Sequence, residues 1–320
     1  MKLITKLQGQ VMQKNSRCVV LGASGFIGSR LCERLGVKYS NVKAFGRNRM
    51  YEDAFKTCKW IEGDFADPNQ IANAIGDCDT VIHLVNASTP ASANINRVAD
   101  LQANVVSTLN LLDACVNSGV KKIIFLSSGG TVYGVPSIIP TPEAAENNPI
   151  TAYGVSKLTI EKYLSLYHHL YNLDYCVLRV ANPYGPYQTN KKNQGVISAF
   201  FQHAIHDEPI DVWGDGTVVR DYVFIDDVVD AIDLAISNNS AYKIFNIGSG
   251  AGISINEIIS TLEQTVGKSI AVNYLPSRNM DVPISVLDIN RAKAHLGWSP
   301  KVSWQNGIVE TYKWIKSSGL

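Results

Sequence analysis

The sequence predicts an α/β fold, a doubly wound parallel sheet joined to a smaller C-terminal lobe. Three observations carry that expectation. Short apolar runs alternate with helically patterned stretches through roughly the first 180 residues, the order that builds βαβ units. A glycine-rich turn directly follows the first of these runs. Beyond Val180 the alternation stops, and a proline-rich stretch, Asn182-Pro-Tyr-Gly-Pro-Tyr187, takes its place.

Residues 1–16 include Lys2, Lys6 and Lys14 and no acid, and Leu3, Ile4, Leu7 and Val11 are helically spaced. They lack the continuous apolar core of a secretory leader, so a frayed extension ahead of the first strand is expected. Residues 18–21, Cys-Val-Val-Leu, have the length and character of a buried parallel strand. Gly22-Ala-Ser-Gly25-Phe-Ile-Gly28 follows. Gly22 permits a tight turn, Gly25 a close approach to a pyrophosphate, and Gly28 close packing of a helix over 26–36 on the strand. The amides at that helix start would face the phosphates.

The next strand, 41–45, runs into Gly46, where a carboxylate would grip the adenosine ribose of NAD. Arg47-Asn48-Arg49 follows and either accommodates the extra phosphate of NADP or forms a solvated basic loop. Asp64, after a third strand, is placed to bind adenine or to make a turn. A helix over 68–75, a strand over 80–85, a long helix over 95–118 and a strand over 122–127 come next. That strand ends in Ser127-Ser128-Gly129-Gly130-Thr131, where small hydroxyl side chains can reach a reacting oxygen.

Tyr153 and Lys157 are spaced i,i+4 in a helix predicted over 152–171, so they share one face. A free tyrosine, with a pKa of about 10, is a poor base at neutral pH. A neighbouring ammonium and an oxidised nicotinamide ring both favour the phenolate. A strand over 175–180 completes the first half. The second half predicts helices at 196–206, 226–237, 255–266 and 307–316 and a hairpin-like turn at Trp213-Gly-Asp-Gly216. The expected division is an extension (1–16), a dinucleotide-binding domain (17–182) and a mainly substrate-binding lobe (183–320). A segment at about 218–236 would return to the first domain.

The 320 residues carry 29 basic and 28 acidic side chains with no basic helix face, which argues against a nucleic-acid partner. No run approaches the roughly 20 apolar residues of a membrane span. Six cysteines lie singly without a CxxC pair, as expected of buried thiols in a reducing, cytoplasmic setting. His83, His168, His169 and His203 have no ligand-like spacing, so no metal is expected.

These segments together resemble the extended short-chain dehydrogenase/reductase family, with its Rossmann fold, and within it the nucleotide-sugar epimerases and dehydratases. The residues that carry the resemblance are Gly22–Gly28, Asp64, Ser127–Gly134, Tyr153/Lys157 and Leu178-Arg-Val-Ala-Asn182-Pro-Tyr-Gly185. In the second half they are Trp213-Gly-Asp-Gly216, Arg220-Asp221, Arg278-Asn-Met-Asp281 and Leu296-Gly-Trp298. The resemblance implies a cofactor site of Gly22, Ser24, Gly25, Phe26, Ile27, Gly28, Arg47, Asp64, Phe65, Leu84, Tyr153 and Lys157. It implies Tyr153 as base and Lys157 as the group that lowers its pKa and binds the nicotinamide ribose. Ser88, Asn182, Val196, Trp213, Arg220, Arg278, Asp281 and Ser285 would hold the nucleotide sugar. Arg220 beside Asp221 also reads as a structural ion pair. The family's usual catalytic hydroxyl aligns with Gly129, which leaves Ser128 or Thr131 to do its work. Gly130 and Thr131 replace the dehydratases' Asp-Glu, which argues against dehydration and against decarboxylation.

Two enzymatic readings follow from the resemblance. One is a 4-epimerase of a UDP-hexose or UDP-N-acetylhexosamine, with NAD retained and a 4-keto intermediate; the small Ser285 would leave room for an N-acetyl group. The other is a reductase of a nucleotide-linked 4-keto-6-deoxy sugar that uses NADPH. A non-catalytic, dinucleotide-binding sensor is the third reading, disfavoured by the retained Tyr153 and Lys157. Relatives pair the 95–118 and 152–171 helices across a two-fold axis, so a homodimer is expected, and polysaccharide precursor synthesis is the setting the family suggests.

Overall fold

The computed structural model describes residues 14–189, 195–277 and 282–318. The first half runs β1 (Lys14–Leu21), α1 (Phe26–Lys38), β2 (Tyr39–Gly46), β3 (Lys59–Glu62), α2 (Pro68–Ile75) and β4 (Thr80–His83). It continues through α3 (Pro90–Ile95), α4 (Arg97–Asp100), a π-helical turn (Leu101–Val106), α5 (Ser107–Asn117) and β5 (Lys122–Ser128). Then come α6 (Gly129–Val132), α7 (Ala152–Tyr171) and β6 (Asp174–Val180). The second half is β7 (Asn182–Tyr184), α8 (Val196–Ile205), β8 (Ile210–Trp213), β9 (Val219–Phe224), α9 (Ile225–Ser237) and β10 (Ile244–Ile247). It ends with β11 (Gly252–Ser254), α10 (Ile255–Val266), β12 (Val272–Leu275), β13 (Ile284–Ser285) and α11 (Trp304–Ser318).

Seven described strands form one parallel sheet in the order β3-β2-β1-β4-β5-β6-β10. The strand alternation explains why it is covered on both faces. Cys18 and Val20 of β1, with Ile124 and Leu126 of β5, enter one core; Val19 and Leu21, with Ile123 and Phe125, enter the other. Period-two side chains therefore feed two helical layers from runs that are apolar throughout. On one layer, α1 and α9 are held together by Arg30–Asp226 (2.6 Å) and Arg34–Asp230 (2.8 Å). On the other, α2, α5 and α7 cover the sheet. The strand order reverses between β1 and β4, the switch point where such sheets bind ligands beyond their carboxyl ends.

The smaller sheets are built on β9, which pairs with β7, β11 and β13, and on a parallel pair of β8 and β12. Strand β10 returns to the edge of the large sheet beside β6.

Three expectations need correction. Strand β1 begins at Lys14, inside the segment read as an extension, because it pairs with Tyr39 of β2. The long helix over 95–118 is broken: Asn96 leaves helical geometry at φ −129°, ψ 83°, caps α4 through its side chain, and the π-helical turn follows. Trp213-Gly-Asp-Gly216 is not a hairpin. Gly214 and Gly216 take positive φ and turn the chain, but β8 finds its partner in β12, about sixty residues later in the sequence.

Candidate active site

The glycine turn is built as a cradle. Gly22 has φ +86°, and a Cβ there would lie 3.1 Å from the Val85 amide. The loop after β4 thus crosses directly over the turn, fixed by the Leu84 amide donating to Leu21 O at 3.0 Å. Gly28 lets α1 sit on the turn, since a Cβ would be 2.3 Å from Gly22 O. Helix α1 starts at an exposed Gly25 with no capping side chain, and Phe26, Ile27 and Ser24 are partly exposed around it. First-turn amides without a capping side chain, at the positive end of a helix, suit a pyrophosphate. The residues present therefore fit a dinucleotide.

At the other end of that cradle, Arg47, Glu62, Gly63, Asp64 and Gln70 line a cavity of about 500 Å³. Gly46 is buried, and a Cβ on it would lie 2.8 Å from Ser24 Oγ and 3.1 Å from the Trp60 ring. No carboxylate can occupy position 46 without displacing them. Arg47 is exposed. Asp64 makes a turn, accepting from the Ala66 amide at 2.9 Å, and Phe65 stacks 4.9 Å from the His83 ring.

Tyr153 and Lys157 lie on the first turns of α7, which Thr151 caps by accepting from the Gly154 amide at 3.1 Å. Lys157 is buried, donates to Leu126 O at 2.9 Å, and stands 4.7 Å from the Phe125 ring and 5.6 Å from the Tyr153 ring. Burial drives its pKa down to about 8, against the pull of Glu161 and Asp100. The Tyr153 phenol is pushed up to about 12, first by burial and then by Asp100. The expected depression by Lys157 is thus not present in the chain alone. A buried ammonium that is itself easily neutralised cannot offset desolvation of the phenolate.

Thr131 lies beside this pair, because Gly154, next to Tyr153, packs onto its carbonyl; a Cβ on Gly154 would be 2.7 Å from Thr131 O. Its Oγ1 is buried and has no hydrogen-bond partner. Gly129 sits in close quarters: a Cβ would meet Leu287 Cδ1 at 2.5 Å, where that side chain must yield, and Arg179 O at 3.2 Å. Ser128 ends β5, half-buried.

On the substrate side, Asn182 donates to Asp221 O at 2.8 Å, and Arg220 and Ser285 are register partners on β9 and β13. Arg220 donates to Val282 O at 2.6 Å. Asp221, one residue on and so on the opposite face of the strand, accepts from Ser249, Gly250 and Leu287 amides. That makes it an anchor for two loops. Trp213 is 43 % exposed at the end of β8, and Val196 opens α8. Arg278 and Asp281 lie outside the described residues. Ser88 differs from expectation: its hydroxyl is turned inward onto Asp100. The residues that sequence reasoning missed are Asp100, Asn104 and Ser156, polar positions buried in the middle of helical patterns.

A Rossmann sheet with an open phosphate cradle and a tyrosine–lysine pair beside its switch point defines a dinucleotide-dependent α/β enzyme. The chain belongs to the NAD-dependent epimerase/dehydratase family, which it matches over residues 18–248. It is similar to the UDP-glucose 4-epimerase of Thermotoga maritima, solved with UDP-glucose, at 34% identity and a TM-score of 0.90, covering 95% of this chain and 100% of that one. It is similar to the Thermus thermophilus UDP-glucose 4-epimerase, solved with NAD, at 32% identity and a TM-score of 0.88, covering 94% and 99%. It also resembles the dTDP-4-dehydro-6-deoxyglucose reductase of Escherichia coli, 31% identical over 93% of this chain and 97% of the relative.

Proposed function

We propose that this chain is a nucleotide-sugar 4-epimerase acting on a UDP-hexose or UDP-N-acetylhexosamine, with Tyr153 as base. The observation that carries the reading is the Tyr153–Lys157 pair, with the Lys157 ammonium 5.6 Å from the Tyr153 ring, on the helix where the adjoining Gly154 packs against Thr131, whose hydroxyl has no partner. The similarity to UDP-glucose 4-epimerases supports the substrate class. The Gly22–Gly28 cradle would hold NAD, which would supply the hydride acceptor for the 4-carbon. Tyr153 takes the proton of the 4-hydroxyl and holds it while the 4-keto sugar turns over. Lys157 would hold the nicotinamide ribose with its remaining donors and, together with a cationic nicotinamide ring, would favour the phenolate. Asn182, Arg220, Arg278 and Trp213 would hold the diphosphate and sugar, guanidinium groups matching two phosphate oxygens at once. Ser285 would border the sugar and leave space for an N-acetyl group.

Thr131, not Ser128, is our choice for the hydroxyl that shares the sugar oxygen. A buried hydroxyl without a partner is costly unless a ligand completes it. Thr131→Val keeps shape and removes that donor. It should lower kcat by about 10²-fold, within the range for one lost donor at a reacting oxygen. Ser128→Ala should leave kcat within a few-fold; the reverse pattern reassigns the role.

The test of the function is twofold. Protein purified without added coenzyme is denatured and the released dinucleotide identified by mass spectrometry. UDP-glucose and UDP-N-acetylglucosamine are then assayed for conversion to their 4-epimers. Stoichiometric NAD and turnover without added coenzyme are expected, whereas an empty site, no epimerisation of either sugar, and oxidation of added NADPH by a nucleotide-linked 4-keto-6-deoxy sugar would replace the reading.

That replacement is the reductase of a 4-keto-6-deoxy nucleotide sugar. It is favoured by the sealed position 46, the exposed Arg47 and the similarity to the Escherichia coli reductase. Under it, Arg47→Ala should weaken NADPH binding about tenfold, the worth of a hydrogen bond to a charged group, and leave NADH binding unchanged. Fluorescence titration of both coenzymes would show this.

We further propose a homodimer. Val98, Leu101, Val106, Val155, Leu166 and Leu170 are exposed along the α4–α5 segment and α7, an apolar surface consistent with a four-helix seam. A monomer mass at micromolar concentration would contradict it.

A further inference from the structure

Asp100 is a carboxylate at 2 % exposure, placed where α4 gives way to the π-helical turn. Oδ2 accepts from Ser156 Oγ at 2.5 Å. Oδ1 accepts from Asn104 Nδ2 at 2.9 Å and from the Ser88 hydroxyl. Asn104 in turn accepts from the Ala87 amide at 2.9 Å and donates to Ser88 Oγ at 3.1 Å. One carboxylate therefore ties together three separate segments. They are the loop that crosses the glycine turn, the break between α4 and α5, and the face of α7 between Tyr153 and Lys157.

Every donor to Asp100 is a neutral hydroxyl or amide, and no cation pairs with it within 4 Å among the described residues. Hydrogen bonds, with no counter-charge among the described residues, satisfy its oxygens. Burying an unpaired charge is expensive, and a core built for stability alone would place an apolar residue here. The carboxylate is instead tied through Ser156 to the helix that carries two groups whose protonation the reaction depends on, and its charge bears on both. π-helical turns are also over-represented at functional sites.

We propose that Asp100 is a positioning residue, which registers the Tyr153–Lys157 helix face against the loop over the coenzyme cradle and sets the charge balance of that pair. The proposal rests on the reading of Tyr153 as the base. Through Ser156 it fixes the rotation of α7 one residue before Lys157. Its negative charge favours the ammonium of Lys157 and opposes the phenolate of Tyr153, an opposition that a cationic nicotinamide ring would offset.

The other titratable groups around the pair do not substitute for it. Glu161, one turn further along α7, is bound to Arg179 of β6 at 2.6 Å and to Ser127 of β5, so its charge is paired. His83 of β4 hydrogen-bonds to Thr108 at 2.9 Å, and burial lowers its pKa to about 3, so it is neutral. Tyr133, after α6, donates to Asn246 at 2.6 Å and is itself pushed upward by burial. Asp100 is the remaining unpaired charge beside the pair among the described residues.

The test is Asp100→Asn, which keeps the size and removes the charge. Losing the anion should lower the pKa of Tyr153 and of Lys157 alike. Both limbs of the pH profile of kcat/KM should therefore move to lower pH, by about one unit. A variant that merely loses a structural tie would turn over more slowly with both limbs in place, and that result overturns the proposal. The phenol is also titrated directly by ultraviolet difference at alkaline pH, each protein against the same protein carrying Tyr153→Phe. This second readout needs no turnover. A lowered phenol pKa with no epimerase activity would overturn the function and keep the inference, whereas an unmoved phenol in an active enzyme would do the opposite. If Asp100→Asn does not fold, Ser156→Ala decides. It leaves the charge in place and cuts the tie to α7, so a roughly tenfold lower kcat with unmoved limbs is expected, and a kcat equal to the parent's overturns the positioning role.

Discussion

Tyr153→Phe is expected to lower kcat/KM by about 10²- to 10⁴-fold, the range of a lost general base, while NAD still binds. The ring remains and only the oxygen goes, so helix α7 and its Thr151 cap are undisturbed. The environment explains why the loss should be large. Burial and Asp100 push the phenol to about 12, and burial brings Lys157 to about 8. In the chain alone, both shifts favour the uncharged pair. A cationic nicotinamide ring next to the phenol reverses the first of them. The phenol should therefore titrate near 12 without coenzyme and lower with NAD bound, with NADH giving a smaller fall. Ultraviolet difference titration of the wild type against Tyr153→Phe reads this directly, and equal values in the three states would remove the electrostatic part of the argument.

The same shifts have a signature in stability. Lys157 in the unfolded chain keeps its proton up to its ordinary value of 10.5, and in the fold only to about 8. Between those values the unfolded state binds more protons, so this group makes the fold more stable as pH rises. Tyr153 acts in the other direction between 10 and about 12, where the folded state holds the proton longer. Chemical denaturation of wild type and Tyr153→Phe between pH 8 and 12 would separate the two, the variant losing only the upper effect.

What could be read from the sequence was local or periodic. The inner strands β1, β4, β5 and β6 showed as apolar runs because both faces are buried, and the glycine turn showed because its conformation excludes side chains. Helices α2, α7 and α10 matched their expected ranges, bounded by Asp67, Thr151 and Ser254 caps. What could not be read was non-local. Leu287 packs against Gly129, and it arrives from more than 150 residues downstream. The β8–β12 pairing is of the same kind: only a turn at Gly214 and Gly216 is visible locally. The break in the 95–118 helix had a local cue, Asn96 ahead of a second capped turn, but apolar periodicity on both sides masked it. Asp100 was hidden for a related reason. An acid in a helical pattern ordinarily marks the solvent face, and only the packed structure shows this one facing inward.

The two central glycines of the cradle should respond differently to the same added methyl group, and the contrast tests the cofactor site. At Gly28 the methyl would stand 2.3 Å from Gly22 O and 2.7 Å from the Ala23 Cα. All of these are backbone atoms, so no side chain can move aside and α1 must shift off the turn. Gly28→Ala should cost about 1–3 kcal/mol of stability, the scale of overpacking a tight core site, and weaken coenzyme binding as the amides lose their aim. At Gly25 the methyl would meet only Gly22 O, at 3.3 Å, and the residue has φ −78° and ψ 173°, which alanine adopts freely. Gly25→Ala should therefore melt within a degree or two of the wild type, yet bind NAD at least tenfold more weakly, because the methyl occupies the approach of the pyrophosphate. Thermal melts and fluorescence titration of the two variants give four numbers. If Gly25→Ala binds NAD as the wild type does, the phosphates do not lie at the start of α1. A loss of affinity that always tracked loss of stability would show only that the turn holds the fold. The affinity of a fully stable Gly25→Ala protein therefore decides whether the turn is a ligand site or a packing device.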